Sequence, residues 1–248
     1  MISLYLLTRN EWQKLTSRKS NLAFLVLLFA LPVLVSFLLG DIQERFGFLA
    51  ADASNFPLFM LNLSTVLVIP IFICKAAADL FADEWQRGGM KFSLAFPISR
   101  WRVYVSKLAA IGVFVCGLIV ALYIGSVLGG FTYMASGSWA AFFQGLIAYM
   151  SSWFSLMTLA VFFTYLNQFL KSSNTSMTLS ILLYLGMQIT ALLEPSIAPV
   201  LPVTYLDWYE PLLDTPLSLR NVTNILYLLS FSGFFFLLGY DRFNKREL

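Results

Sequence analysis

The chain has 248 residues, of which 59% are hydrophobic and only 12% are charged, and its mean hydropathy is +0.77. Soluble domains carry roughly 25% charged residues, and a soluble fold of this size has too much surface to cover with so few ionic groups. The composition therefore indicates an integral membrane protein. The chain contains no histidine, which removes the commonest general base near neutral pH and the usual zinc sites. Its net charge of +3 is too small and too scattered to indicate a nucleic-acid partner.

Long apolar runs predict six transmembrane helices. A bilayer core about 30 Å thick is crossed by about 20 apolar residues in a helix, and each run is about that long. The runs are apolar on every side, unlike the alternating segments of a membrane β-barrel. The predicted fold is therefore all-α, a polytopic membrane protein with a single transmembrane domain over residues 1–248. The predicted spans cover residues 21–40, 57–78, 108–131, 142–168, 175–194 and 221–240.

The distribution of basic residues between the loops predicts the orientation. With six crossings, the two termini, the second-to-third loop and the fourth-to-fifth loop share one side, and these segments hold 14 of the 16 basic residues. The other side holds only Arg45 and Arg220. Because basic loops stay on the cytoplasmic side, we expect a multi-pass protein of the cell membrane with both termini in the cytoplasm.

Residues 2–19 predict an interfacial helix ahead of the first span. Leu4, Tyr5, Trp12 and Leu15 fall in one sector of a helical wheel, and polar residues occupy the other side. This amphipathic pattern is typical of a helix that lies at a membrane surface. Its simplest role is to anchor the chain.

The longest segment predicted to be cytoplasmic covers residues 75–107. Asp83 and Arg87 are four residues apart, which places opposite charges side by side on a helix, and a glycine pair then ends that helix. A second short amphipathic piece follows and ends at Pro97. Two short helices joined by a glycine turn would form a protrusion that fits a cleft on another protein. An ordinary basic loop is the alternative.

Residues 195–220 hold five of the nine prolines, a density that forbids a long helix. Tyr205, Trp208 and Tyr209 lie among these prolines, and aromatic side chains of this kind favour the membrane–water boundary. We expect an extracellular segment whose short pieces dip into the outer leaflet. Its three aromatic residues are candidates for an external gate.

No ionisable residue lies at the centre of a predicted span, since Lys75, Asp79 and Glu194 lie at span ends, where we expect them to reach head-group water. The polar residues within the spans are neutral, and clusters of this kind usually hold helices together. The alternative is a weakly polar cavity for an amphipathic cargo. Its candidate residues are Asn62, Ser151, Ser155, Thr158 and Gln188.

The chain has no G-x-x-x-x-G-K-[S/T] motif for binding ATP phosphates, so uphill transport would need a partner that supplies energy. Its six spans, interfacial helix and long second-to-third loop resemble the permease subunits of the ABC type-2 transporter family. The loop of that family runs from an acidic residue through glycine and an apolar stretch to proline and basic residues. Here the same order reads Glu84 to Gly89, Phe92 to Phe96, Pro97, Arg100 and Lys107.

This resemblance, closest to compact permeases beside peptide-antibiotic immunity and toxin-export ATPases, implies that residues 79–103 form a coupling helix. That segment would fit a groove on an ABC ATPase, and the 195–220 loop would form small re-entrant helices. It implies an exporter of an amphipathic peptide, antibiotic or lipid, with two ATPase subunits and a second permease copy or a paralogue. ATP and Mg²⁺ would bind to the ATPase and no cofactor to this chain. The residues implied in the ATPase contact are Asp83, Glu84, Arg87, Gly88, Phe92, Phe96, Pro97 and Arg100.

The second hypothesis is a non-transporting membrane scaffold or sensor, in which residues 75–107 recruit a cytoplasmic partner without ATP. An intramembrane enzyme is disfavoured, because the sequence has neither a histidine nor a buried carboxylate pair for acid–base chemistry.

Overall fold

The computed structural model describes residues 4–46, 56–89, 98–131, 139–215 and 218–245, with the side chains of all but 40–46 and 139–141. No β-strand occurs among these residues, which confirms the all-α prediction. The helices are α1 (Leu4–Thr16), α2 (Lys19–Phe46), α3 (Phe56–Gln86), α4 (Arg100–Phe131), α5 (Trp139–Asn167), α6 (Ser173–Leu193), α7 (Tyr209–Asp214) and α8 (Leu219–Lys245). Two 3₁₀ turns, Ala198–Val200 and Pro202–Tyr205, precede α7.

Within the described residues, six helices are long and apolar enough to cross a membrane, namely α2 to α6 and α8. This confirms the prediction of a polytopic membrane protein. The most apolar stretches of α3, α4 and α5 are 56% buried inside the protein, against 11–17% for α2, α6 and α8. The bundle therefore has three inner helices and three outer ones. Because the outer helices are apolar yet exposed within the chain, their exposed sides suit contact with lipid tails.

Helix α4 is the element on which the bundle is assembled. It packs against α1, α2, α3 and α5. Helix α5 in turn packs against α8 and against the Ile69–Ala77 part of α3, which also contacts α6. The N-terminal helix α1 thus lies against an inner helix, in addition to preceding the first span.

Two glycines bring α2 and α4 into backbone contact. Gly125 and Gly129 lie four residues apart, so both face the same side of α4. A Cβ atom at Gly125 would overlap the carbonyl oxygen of Phe29, and one at Gly129 would lie 2.9 Å from the carbonyl oxygen of Pro32. In lipid, where no hydrophobic force draws helices together, close approach over small residues is a main source of their association.

Helix α3 contains two wider π-helical turns, Ser64–Val68 and Ala78–Ala82. Pro70 lies in the first turn after the first of them. Because proline has no N–H to donate, a helix widens or bends near it. Helix α3 nevertheless continues from one end of the bundle to the other. Each wide turn changes the direction in which the side chains beyond it point.

One end of the bundle, called here the terminal face, carries both ends of the described chain. Lys14 of α1 binds Glu84 at the end of α3, and Arg100 at the start of α4 donates a hydrogen bond to the carbonyl oxygen of Asn244 at the end of α8. The helix ends predicted to share one side of the membrane are thus in contact. The opposite face carries the 3₁₀ turns and α7.

We predict that Gly125→Ala lowers the melting temperature of the detergent-purified protein, because the new methyl group would meet the backbone of α2. Overpacking of this kind typically costs about 1–3 kcal/mol. Gly186→Ala is the matched control, since a Cβ atom there meets nothing within 4 Å and alanine favours a helix. Equal melting temperatures for the two variants would contradict the proposed backbone contact.

Candidate functional site

The end of α3 carries three carboxylates that face the interior of the protein. Asp79 and Asp83 are four residues apart and share one side of the helix, whereas Glu84 lies about 100° further round. Their side chains are 7%, 8% and 12% exposed, respectively. Carboxylates this well buried need cationic partners, and the neighbouring elements supply them.

Four charges form a closed cycle, called here the ion ring, which consists of Glu11, Lys14, Glu84 and Lys107. Lys107 Nζ lies 2.9 Å from Glu11 Oε2 and 2.7 Å from Glu84 Oε2. Lys14 Nζ lies 2.7 Å from Glu11 Oε1 and 2.9 Å from Glu84 Oε1. The ring joins α1, α3 and α4, and the Lys107 side chain within it is completely buried.

A second group, called here the Arg18 clasp, joins α3 to the α1–α2 turn and consists of Arg18, Asn21, Lys75, Asp79 and Asp83. Arg18 binds Asp79 Oδ1 through Nη1 at 2.7 Å and Asp83 Oδ2 through Nη2. Lys75 Nζ lies 2.5 Å from the other Asp79 oxygen and 2.9 Å from Asn21 Oδ1. The guanidinium fork of Arg18 thus spans two carboxylates that sit one turn apart.

All eight oxygens of the four carboxylates, Glu11, Asp79, Asp83 and Glu84, are paired with a lysine or arginine nitrogen. Burial opposes ionisation of Glu11, but Lys107 and Lys14 outweigh it and hold the pKa of this carboxyl below its usual value. Burial also opposes the charged form of Lys14, and Glu11 with Glu84 outweighs it and raises the pKa of the ammonium. Glu11 and Lys14 are therefore both charged near neutral pH.

Two expectations from the sequence are corrected at this point. Lys75 and Asp79 are not free groups at the head-group surface, because both are largely buried and bind each other. The first of the two predicted short helices of segment 75–107 is not separate but is the continuous end of α3. The second short helix lies outside the described residues.

The predicted ATPase-contact residues of α3 fall into two groups. Asp83 binds Arg18 and Arg87, and Glu84 binds Lys14 of α1 and Lys107 of α4, so both carboxylates are largely buried in pairs within this chain. Arg87 is 73% exposed and binds Asp83 Oδ1 through Nε at 2.9 Å. Gly88 has a φ of 71°, a left-handed conformation that costs glycine least and that commonly ends a helix. Arg87 and Gly88 therefore mark the point where the chain leaves α3.

The remaining predicted contact residues lie further along the same segment. Arg100 begins α4, and its side chain binds the end of α8. Phe92, Phe96 and Pro97 lie outside the described residues.

The candidate cargo-cavity residues of α5 have hydroxyl groups that bond within their own helix. Ser151, Ser155 and Thr158 donate to carbonyl oxygens one turn earlier, at 2.9, 3.0 and 3.2 Å. Ser155 and Thr158 are buried and Ser151 is partly exposed. The three hydroxyl groups thus find their hydrogen-bond acceptors within α5.

The other two cargo-cavity candidates lie apart from these. Asn62 Nδ2 is 3.4 Å from Glu210 Oε1, near the opposite face. Gln188 Nε2 donates to the Tyr184 hydroxyl at 2.7 Å, and both residues belong to α6. Neither of the two cavities described below is lined by any of the five candidates.

The three candidate gate residues lie together at the opposite face. The Tyr205 ring stacks on Tyr227 of α8 with a centroid distance of 4.2 Å, and Trp208 Nε1 donates to the Ser151 carbonyl oxygen of α5 at 3.1 Å. Tyr205 and Trp208 also line a cavity of about 230 Å³, whereas Tyr209 is buried. The loop that carries them is thus attached to both α5 and α8.

A second cavity, of about 620 Å³, lies on the terminal face between the α1–α2 turn and the end of α3. Its lining includes Lys14 of the ion ring and Arg18 of the Arg18 clasp, together with the hydroxyl groups of Ser17 and Ser20. No cluster of residues suited to a metal ion occurs in the described part of the chain.

A sequence model of the family described as "ABC-2 family transporter protein" matches residues 5–248. The chain belongs to this family. It is therefore a membrane-embedded permease subunit of an ABC transporter, and its family membership implies an ABC ATPase as a partner. This confirms the resemblance drawn from the second-to-third loop. No curated protein shows significant sequence similarity to the chain.

In this ABC-2 permease, the i,i+4 spacing predicted the Asp83–Arg87 pair, which the structure confirms. Sequence reasoning missed the ion ring and the part of Arg18 in the clasp. It interpreted the polar residues of α1 only as one side of a helix at the membrane surface. A signal was nevertheless present, because Glu11 and Lys14 lie one turn apart in α1 and Lys107 lies inside a long apolar helix. A cation in such a position is tolerated chiefly when it is paired.

We predict that Lys107→Met destabilises the permease, because it leaves Glu11 and Glu84 without a buried partner. Breaking a buried pair in this way costs about 3–5 kcal/mol, measured as a lower melting temperature in detergent. Adding Glu84→Gln should recover part of the loss, since it removes surplus negative charge. Lys245→Met is the control, because that lysine is 72% exposed. A Lys107→Met protein as stable as the control would contradict the role of the ring.

The ion ring also predicts a pH dependence. The pKa of Glu11 is lower in the folded protein than in the unfolded chain, so its ionised form stabilises the fold at neutral pH. That contribution is lost as the pH falls through the acidic range. Between about pH 6 and pH 3, the melting temperature of Glu11→Gln should therefore change less than that of the wild type. Parallel curves would show that Glu11 has no lowered pKa.

Proposed function

We propose that this ABC-2 permease exports an amphipathic cargo, such as a peptide, an antibiotic or a lipid, with energy from ATP hydrolysed by its partner. The observation that carries the proposal is the connection of the second-to-third loop to the bundle. Residues 87–99 join α3 to α4, and the ion ring and the Arg18 clasp bind these two helices to α1 and to the α1–α2 turn. A force on the loop therefore reaches several helices at once.

The coupling in this proposal is mechanical. Closure of two ATPase subunits around ATP and Mg²⁺ would push the loop, and the paired charges would transmit the displacement as a rigid-body movement of the bundle. Inner helices buried against one another move together, because packed cores deform little. A second permease copy or a paralogue would provide the facing half of the pathway.

We assign the ATPase contact to the second-to-third loop and its borders. Arg87 and Gly88 lie where the chain leaves α3, and Phe92, Phe96 and Pro97 follow in the segment that the family resemblance identifies as the coupling helix. Apolar side chains would supply most of the affinity, because an exposed ion pair contributes only about 0–1 kcal/mol. Asp83 and Glu84 would not touch the ATPase but would hold the end of α3 in position.

An amphipathic cargo suits the neutral character of the bundle. The outer helices expose apolar side chains, and the polar residues proposed for a cargo path, Asn62 and Gln188 among them, carry no charge. Tyr205, Trp208 and Tyr209 would form the gate at the opposite face, where the cargo leaves. This assignment places the terminal face in the cytoplasm.

The docking proposal is tested with the double variant Phe92→Ala/Phe96→Ala, co-expressed with the cognate ATPase. We expect the ATPase to dissociate during purification and the ATP turnover of the complex to fall, because the apolar contact is lost. The matched control is Phe131→Ala, a residue at the other end of α4 that is 65% exposed. Both variants retaining the ATPase equally would contradict the docking site. A partner that binds through these residues but hydrolyses no ATP would favour the scaffold hypothesis.

The orientation is tested separately, by fusing alkaline phosphatase to two positions. We predict an inactive fusion after Leu248 and an active one after Gly137, which lies in the predicted third-to-fourth loop, because the enzyme gains activity only outside the cytoplasm. The reverse pattern would contradict the assignment of the terminal face.

A further inference from the structure

The cavity of about 620 Å³ on the terminal face is lined by both cationic and anionic side chains. The cations are more exposed than the carboxylates. Its cationic side chains, Lys14, Arg18 and Arg87, are 38%, 32% and 73% exposed. Its carboxylates are the three at the end of α3, which are largely buried. The cavity therefore presents mainly nitrogen donors to anything that enters it.

The carboxylates of the cavity have little acceptor capacity left. Each of their oxygens already binds a lysine or arginine nitrogen. Glu11, Lys75 and Lys107 do not line the cavity but belong to the same ion pairs. With them included, the group has five cations and four carboxylates. Arg87 uses Nε for Asp83, and its guanidinium has four further N–H donors. Ser17 and Ser20 add hydroxyl groups to the same lining. This donor set suits an anion.

The position of the cavity identifies the kind of anion. Ser20, in its lining, belongs to the first turn of α2, and the next turns of α2 expose Leu22 and Val26, which are 55% and 60% exposed. The opposite end of α1 also exposes apolar side chains, Leu4 and Tyr5 among them. A polar cavity directly beside the lipid-facing part of a transmembrane helix lies at the depth of the lipid head groups.

We propose that this cavity binds the phosphate group of an anionic phospholipid from the leaflet at the terminal face. The Arg87 guanidinium and the Lys14 ammonium would contact the phosphate oxygens, since arginine forms paired hydrogen bonds with phosphate. The acyl chains would lie along the exposed apolar side of α2. Arg18 would stay bound to Asp79 and Asp83 and would attract the phosphate electrostatically without contacting it. This proposal is independent of the cargo, and it shares Arg87 with the border of the proposed ATPase contact.

The test measures phospholipid binding to the full-length protein purified in detergent, by native mass spectrometry and by the rise in melting temperature. The probes are phosphatidylglycerol and the zwitterionic phosphatidylcholine. We expect phosphatidylglycerol to bind more tightly, and Arg87→Gln to raise its half-saturating concentration about fivefold, as expected for one basic side chain at an anionic surface. Lys245→Gln is a close control, because Lys245 is 72% exposed and also binds an aspartate four residues earlier.

Three results would overturn the proposal. The first is equal binding of the two lipids, or equal weakening by Arg87→Gln and Lys245→Gln. The second is displacement of phosphatidylglycerol by inorganic phosphate at the same concentration, which would make the cavity a site for free phosphate. The third is exclusion of phosphatidylglycerol from the wild-type protein once the ATPase is bound, which would make the cavity a protein contact.

Discussion

The pairing of Lys107 with Glu11 and Glu84 is the interaction on which the terminal end of this permease depends. A fully buried ammonium group is tolerated in an apolar bundle only with anions in contact, so α1 and α3 must meet α4 at this point. The Arg18 clasp then fixes the α1–α2 turn against the same end of α3. The second-to-third loop, which we propose as the ATPase contact, therefore begins and ends on helices that are already held together.

The rest of the bundle is held by different means. Helices α2 and α4 meet where Gly125 and Gly129 of α4 approach the backbone of α2. At the opposite face, aromatic contacts such as Tyr205 on Tyr227 attach the loop before α8. Charge is thus concentrated at one end, while the middle depends on close packing. Such a distribution agrees with the proposal that the ATPase acts on the terminal face and that the cargo leaves at the opposite one.

The sequence predicted the helical membrane fold and the family, because both depend on features that are local in the chain. Apolar runs are long enough to recognise individually, and the order of glycine, phenylalanine and proline after Glu84 is contiguous. The charged site was predicted only in part. The burial of Asp83 and Glu84 depends on where α1 packs against α3. The contact between Lys14 and Glu84 that fixes this packing joins residues about seventy positions apart. The pairing of Lys107 with Glu11 is equally non-local, so composition and spacing did not reveal it.

The two π-helical turns of α3 limit the insertions and deletions that this helix can accept. Each amino acid of a regular helix turns the chain by about 100°, and a wide turn alters that rotation for everything beyond it. The azimuth at which Asp79 and Glu84 emerge is therefore fixed partly by Ser64–Val68, more than ten positions upstream. Deleting or inserting a single amino acid between the two would swing the acids away from α1. Natural variation in this stretch should consequently keep its residue count and alter side chains instead.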